Sequence, residues 1–371
     1  MGKNVVIKFS KDDTSVAKGL AILMMMFHHC FLGPDRYEGF GVSFFPIGEK
    51  VTVMIAVTMK LCVGIFVFLS AYGMMKTFKY SETKYGHHTS VAFCVRRYVK
   101  LILGFLAAYI ICFVGSCIFG PTPKEVYGGG IRGILAALID VLGLSDLYST
   151  PTLVGTWWYM SLAVILIFIF PLLVAAWRKI GWILVILLMT VPYFFGWEIT
   201  EYARWLGTAG MGILFADMEI FEKIKTWMLK QSIFVRVMIK IAVTALWIPA
   251  VIFYNTSFIE KIRIPADGIL SVFAVVFSYV VLSDFPGLNK ILVFLGKHSM
   301  NIFLIHTFIR VKWFDGYIYT AYKNMWLIAI MLLLHALILS IVLEWLKKIT
   351  GYNKLCDRII QRISRHFKAS R

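Results

Sequence analysis

Residues 17–32, AKGLAILMMMFHHCFL, form the first long apolar run of the chain, and their reading decides the fold. A basic stretch precedes the run, as in a signal peptide, but no small-residue cleavage site follows it and further apolar runs do. It is therefore expected to be a retained first membrane helix. Polar groups inside such a helix are expensive and turn toward a cavity or another helix. Lys18 and His29 lie eleven residues apart, three turns plus about 20°, so they share one face at an axial separation of about 16 Å. His28 is rotated from that face by about 100°. A basic group and a distant imidazole on one stripe suit chemistry in a cavity. A snorkelling lysine with a histidine that bonds between helices explains the same spacing.

Composition extends the membrane reading to all 371 residues. The chain is 60% hydrophobic and 16% charged, and its mean hydropathy is +0.79. Soluble domains carry roughly a quarter charged residues, and a water-exposed surface this apolar would be contiguous. A soluble enzyme, a disordered chain and a nucleic-acid-binding domain are excluded, despite a net charge of +18. The six cysteines (30, 62, 94, 112, 117 and 356) form no CxxC pair and lie mostly in apolar runs. Neither a disulfide framework nor a metal site is expected from them.

A span needs about 20 apolar residues. Candidate spans run over approximately 16–33, 53–75, 98–119, 155–177, 179–196, 205–221, 237–255, 266–283, 291–311 and 325–346. The fold expected is an all-α polytopic membrane protein of about ten transmembrane helices. Segment 131–144, interrupted by Asp140, is too short to span and reads as an interfacial or re-entrant helix. Lys and Arg gather in alternate loops: around Lys76–Lys100, at Arg178 and Lys179, over Lys223–Arg236, and from Lys347 onward. By the positive-inside rule both termini are cytoplasmic. Residues 1–346 are expected to form one membrane domain and 347–371 a basic cytoplasmic tail.

Several segments, in order, resemble the membrane acyltransferase-3 family. KGLAILMMMFHH (18–29) looks like its first-helix motif, a basic residue followed at a distance by histidine. VFLSAYGM (67–74), with Ser70 and Gly73, is similar to its second-helix pattern, and FCVRRYVKL (93–101) to its arginine-rich entry to the third helix. GTWWYMSLAVIL (155–166) fits its Trp-containing fourth span. LGKHSMNIFLIHTFI (295–309) resembles its late helix, through Ser299, Phe303, Leu304 and His306. Two features depart from the family. Lys18 stands where the usual residue is arginine, which keeps the charge but loses the bidentate fork. Many relatives also carry an extracytoplasmic hydrolase-like domain after the membrane part. Here a basic tail follows, so any later transfer step is expected to need an extracytoplasmic transferase partner or not to occur.

The resemblance implies a transmembrane acyltransferase fold in the plasma membrane. It also implies transfer of an acyl group, expected to be acetyl, from cytoplasmic acyl-coenzyme A to a hydroxyl of a cell-envelope glycan or glycolipid. Arg96, Arg97 and Lys100, with Lys18, are the candidate donor-binding residues, since planar guanidinium forks match phosphate oxygens. Ordinary positive-inside charge explains the same cluster. His29 could take the proton of the acceptor hydroxyl, or carry the acyl group itself. Ser299 and His306, two turns apart, share a face and are the further catalytic candidates, with interhelical bonding as their alternative. Trp157 and Trp158 are expected at the outer aromatic belt, where they could also stack on a sugar. Ser70 and Gly73 read as packing, Met24–Met26 likewise, His87 and His88 as solvated, and His335 as structural. No metal and no nucleic acid enter, and a homo-oligomer is compatible. A secondary transporter or glycan exporter with a buried His/Lys proton relay is the alternative, although no repeat between the halves marks it.

Overall fold

A computed structural model describes residues 8–196 and 201–369. The protein is all-helical: among the described residues there is no strand, only an isolated bridge between Ser43 and Asn324. In chain order the helices begin with α1 (Lys11–Phe31), α2 (Glu49–Thr58), α3 (Leu61–Tyr85), α4 (Thr89–Phe119), α5 (Pro123–Tyr127) and α6 (Gly130–Val141). They continue with α7 (Trp158–Ile180), α8 (Ile183–Phe194), α9 (Glu201–Arg204), α10 (Leu206–Asp217), α11 (Ile220–Lys230) and α12 (Ile233–Ala245). The last are α13 (Trp247–Tyr254), α14 (Ser257–Lys261), α15 (Arg263–Val280), α16 (Pro286–Thr307), α17 (Tyr317–Tyr322), α18 (Met325–Ile349) and α19 (Tyr352–Ala369).

Among the described residues, six helical stretches are long and apolar enough to cross a bilayer: Glu49–Phe119, Gly155–Ile180, Ile233–Tyr254, Arg263–Asp284, Pro286–Lys312 and Met325–Ile349. The first of these contains two of the spans read from sequence, so seven of those ten fall within the six stretches. The other three have physical reasons to fall outside. Helix α1 carries Lys11, Asp12, Asp13 and Lys18, and α8 and α10 have 12 residues each, about 18 Å of helix. Segment 131–144 folds mainly as α6, also 12 residues, with Asp140 buried in its last turn. The apolar residues of α12 and α13, such as Phe234, Ile241 and Ile248, are exposed as a lipid-facing surface requires. All six cysteines are free.

Two compact units divide the chain. The first comprises residues through Gly33, Ile47–Lys76 and Leu173–Ser299. In it α1 packs on α2 and α15, and α10 packs on α8 and α15. Small residues permit this closeness: a Cβ on Gly212 of α10 would lie 2.6 Å from the Phe68 carbonyl oxygen, and one on Gly64 would lie 2.0 Å from Ser271 Oγ. Phe9, Tyr72, Phe221 and Tyr279 fill the space at one end with stacked and edge-on rings.

The second unit comprises Pro34–Pro46, Thr77–Leu172 and Met300–Arg371. Its centre is α4, 31 residues long, against which α6, α18 and α19 pack. Expected as a basic tail, residues 352–369 are a helix, α19, tied to α4 by the Tyr352 hydroxyl, which donates to the Leu103 carbonyl at 2.6 Å.

Candidate functional site

Helix α1 starts where Ser10 accepts from the Asp13 amide while the Asp13 carboxylate accepts from the Ser10 amide, a reciprocal cap that fixes the first turn. Eight and nineteen residues further on, Lys18 and His29 are both partly exposed. Ile22 and Met25, on the same face between them, are 0% and 3% exposed. The Lys18–His29 stripe therefore looks into protein and not into lipid, and its two polar residues keep access. His28 differs. It is buried, and its Nδ1 lies 2.8 Å from the Ala56 carbonyl oxygen on α2.

Close approach between α1 and α16 holds this stripe in place. A Cβ on Gly19 would lie 2.2 Å from the Leu292 carbonyl oxygen, and one on Gly296 would lie 1.9 Å from that of Ser15. Ser299, one helical turn past Gly296, is buried at 6% exposure. Lys18, His29 and Ser299 thus belong to the first unit.

The remaining candidates belong to the second. Arg96 sets its guanidinium 5.4 Å from the Tyr85 ring centroid, Arg97 stands 6.0 Å from that of Phe93, and Lys100 is exposed. Among the described residues none of the three is ion-paired, and Arg96 Nε is buried without a partner. Cations held by aromatic faces on one helix, with no carboxylate satisfying them, remain available to an anionic ligand.

Trp157 is 1% exposed, with its ring against Phe105, Tyr109 and Phe308 and its indole N–H donating to the Leu304 carbonyl at 3.1 Å. It is a core residue and not part of a lipid-facing belt; Trp158 is half-buried. The same contact brings in His306, which is fully buried. Its Nδ1 is 2.8 Å from the Phe303 carbonyl oxygen and its Nε2 is 3.0 Å from Thr307 Oγ1, to which the Thr156 hydroxyl donates at 3.2 Å. His335 Nδ1 lies 2.5 Å from the Met331 carbonyl oxygen of its own helix, in keeping with a structural role.

Three polar sets were not singled out by the sequence. In the first unit Lys60 pairs with Glu201 at 2.7 Å and Arg204 Nε with Asp267 at 2.5 Å, while the Tyr254 hydroxyl donates to the other Asp267 oxygen. Lysine and arginine inside apolar runs are the signal that could have marked it. In the second unit Asp140 accepts from the Tyr127 hydroxyl at 2.6 Å and the Leu153 amide at 3.0 Å, and Tyr127 bonds Tyr109 at 2.9 Å. Burial pushes the Asp140 carboxyl above the usual carboxylate range, against the opposing pull of these bonds. The third is Arg310, 4% exposed on the π-helical turn Phe308–Lys312 that ends the stretch begun by α16.

Long apolar helices with ionisable groups turned inward define a multi-pass membrane protein. The chain belongs to the acyltransferase-3 family: the family model described as an acyltransferase domain matches residues 14–345. It is a membrane acyltransferase. No curated protein and no solved structure matches the chain.

Proposed function

We propose that this acyltransferase moves an acetyl group from cytoplasmic acyl-coenzyme A to a hydroxyl of a cell-envelope or exported glycan. It would reside in the plasma membrane with about ten spans and both termini in the cytoplasm, as the Lys/Arg distribution favours. The observation that carries the reading is the α1 stripe: Lys18 and His29 partly exposed on one face, with Ile22 and Met25 buried between them. The cations offered to donor phosphates are Lys18 on the stripe and, within the second unit, Arg96, Arg97 and Lys100. The axial distance of about 16 Å from Lys18 to His29 is comparable with an extended pantetheine arm, which brings the thioester to the imidazole.

His29 takes the proton from the acceptor hydroxyl as its oxygen attacks the thioester carbonyl. The tetrahedral intermediate then collapses, the carbon–sulfur bond breaks, and the coenzyme A sulfur leaves with the proton returned by the imidazolium. In the covalent variant the imidazole nitrogen attacks first, the carbon–sulfur bond breaks to release the coenzyme A thiolate, and the acceptor oxygen then takes the acyl group from the imidazole, its proton passing to the departing thiolate or to solvent. Ser299, in the same unit as the stripe, is the orienting group, whereas His306 and Trp157 are enclosed within the second unit and serve its packing. The transporter reading is not favoured, because the family is one of acyl transfer.

Purified protein in vesicles, given radiolabelled acetyl-coenzyme A and envelope glycan preparations, tests this. Label is expected in the glycan with wild type and not with His29→Ala. No labelled glycan from wild type, or equal labelling by the variant, would overturn the reading.

A further inference from the structure

We infer that Arg310 is a recognition site for an oxyanion, a carboxylate or phosphate group, carried by the acyl acceptor. This rests on the acyl-transfer reading above.

A guanidinium removed from water must find a counter-charge or a full set of acceptors, because an isolated buried charge is among the most unfavourable groups a protein can hold. This chain contains both cases. Arg204, mostly buried, is met by Asp267 at 2.5 Å and by Glu201 at 3.7 Å. Arg310, at 4% exposure, makes no ion pair among the described residues. Among the described residues its single hydrogen bond is a long one, from one terminal nitrogen to the Tyr319 hydroxyl at 3.4 Å, and its Nε is buried without a partner. A planar fork with this capacity unspent matches the two oxygens of a carboxylate or phosphate.

The surroundings are built and not loose. Arg310 lies on a π-helical turn, a rare conformation that recurs at functional sites. Three residues on, Trp313 donates from its indole to Ser116 Oγ at 3.3 Å, and Phe308 lies against Trp157 with ring centroids 5.5 Å apart. Tyr319, the one partner, is itself stacked on Phe40 at 5.3 Å. The turn that carries Arg310 is thus held in place by packed aromatic residues on both sides of it in sequence.

Position separates this site from the donor. Ser116 is nineteen residues along α4 from Arg97, about 28 Å of helix. A phosphate of coenzyme A held at Arg97 is thus distant from Arg310. Topology does not call for a cation here either, since basic residues are retained on the cytoplasmic side and Arg310 lies toward the other end.

The test is thermal unfolding of the purified full chain in detergent, read by tryptophan fluorescence. Sodium glucuronate, sodium phosphate and glucose are each compared with sodium chloride at equal ionic strength, since a ligand bound only by the folded state raises the unfolding temperature. A rise of a few degrees is expected with glucuronate, phosphate or both, and none with glucose. Arg310→Met should diminish the rise and Arg310→Lys retain more of it, whereas Gly287→Ala, at a site with open space around it, should leave it unchanged. Glucuronate alone identifies a carboxylate and phosphate alone a phosphate ester. No rise in wild type, or an undiminished rise in Arg310→Met, would overturn the inference. Acetyl transfer without any anion effect sinks this inference alone, whereas an anion effect diminished in Arg310→Met but without acetyl transfer leaves an oxyanion site at Arg310 and removes its assignment to an acyl acceptor.

Discussion

His28 Nδ1 lies 2.8 Å from the carbonyl oxygen of Ala56, whereas the adjacent His29 stays partly exposed on the face of Lys18. The two imidazoles, with ring centroids 5.1 Å apart, thus divide into one that holds helices together and one that keeps access. His29→Ala is expected to cut acyl transfer by on the order of 10²–10⁴-fold with donor binding and unfolding temperature near wild type. His28→Ala strands a buried carbonyl and is expected to cost about 1–3 kcal/mol of stability, with a far smaller loss of turnover per folded molecule. Equal losses of transfer would make the histidines a structural pair.

Arg97→Ala should weaken the binding of acetyl-coenzyme A while the protein inserts and folds, since among the described residues Arg97 has no ion-pair partner to strand. Titration of the purified variant with acetyl-coenzyme A checks this, and an unchanged dissociation constant counts against the donor assignment. Lys18→Arg should keep transfer, because it restores the fork that suits phosphate.

The apolar runs and the α1 stripe were legible because both rest on local periodicity: eleven residues on one helix set the angle between Lys18 and His29 wherever that helix goes. What depends on partners distant in sequence was not. Trp157 reads as a belt residue by hydropathy, yet its ring is enclosed by α4 and its indole answers Leu304, 147 residues away. Asp140 looks like a break in an apolar segment until Tyr127 and Leu153, each 13 residues off, close on it. Arg310 carries no mark in the sequence, and its burial without an ion pair among the described residues appears only in the structure. Helices α8 and α10 fall short of the expected spans because turns at Gly181 and Met218 cut the apolar runs.

Asp140 gives a pH signature. Burial raises its carboxyl above the ordinary range, so its contribution to stability is fully present below the unfolded-state value, about 3.9, and is lost as pH rises through the folded-state value. Asp140→Asn keeps an oxygen for the Tyr127 hydroxyl and the Leu153 amide but never ionises. The variant is expected to match or exceed wild type in unfolding temperature at neutral pH, with the difference shrinking as the solution is acidified. Parallel thermal scans across pH check the sign. An advantage that grows toward acid would show that the ionised carboxylate is the stabilising form.

The close crossing of α1 and α16 makes the α1 stripe sensitive to a single methyl group. An alanine Cβ at position 19 would lie 2.2 Å from the Leu292 carbonyl oxygen, and one at 296 would lie 1.9 Å from that of Ser15. Both obstacles are backbone, so no rotamer change relieves them and one helix must move. Gly19→Ala and Gly296→Ala should each cost about 1–3 kcal/mol, the usual range for overpacking. Moving α1 also carries Lys18 and His29 with it, and a misplacement near 1 Å costs on the order of 10²-fold in rate, so transfer should fall further than stability explains. Gly287, on the same helix with nothing within 4 Å of its would-be Cβ, is the control: Gly287→Ala should be neutral or slightly stabilising. Unfolding temperatures and transfer rates of the three variants decide it, and a wild-type Gly19→Ala would mean that α1 and α16 do not meet there.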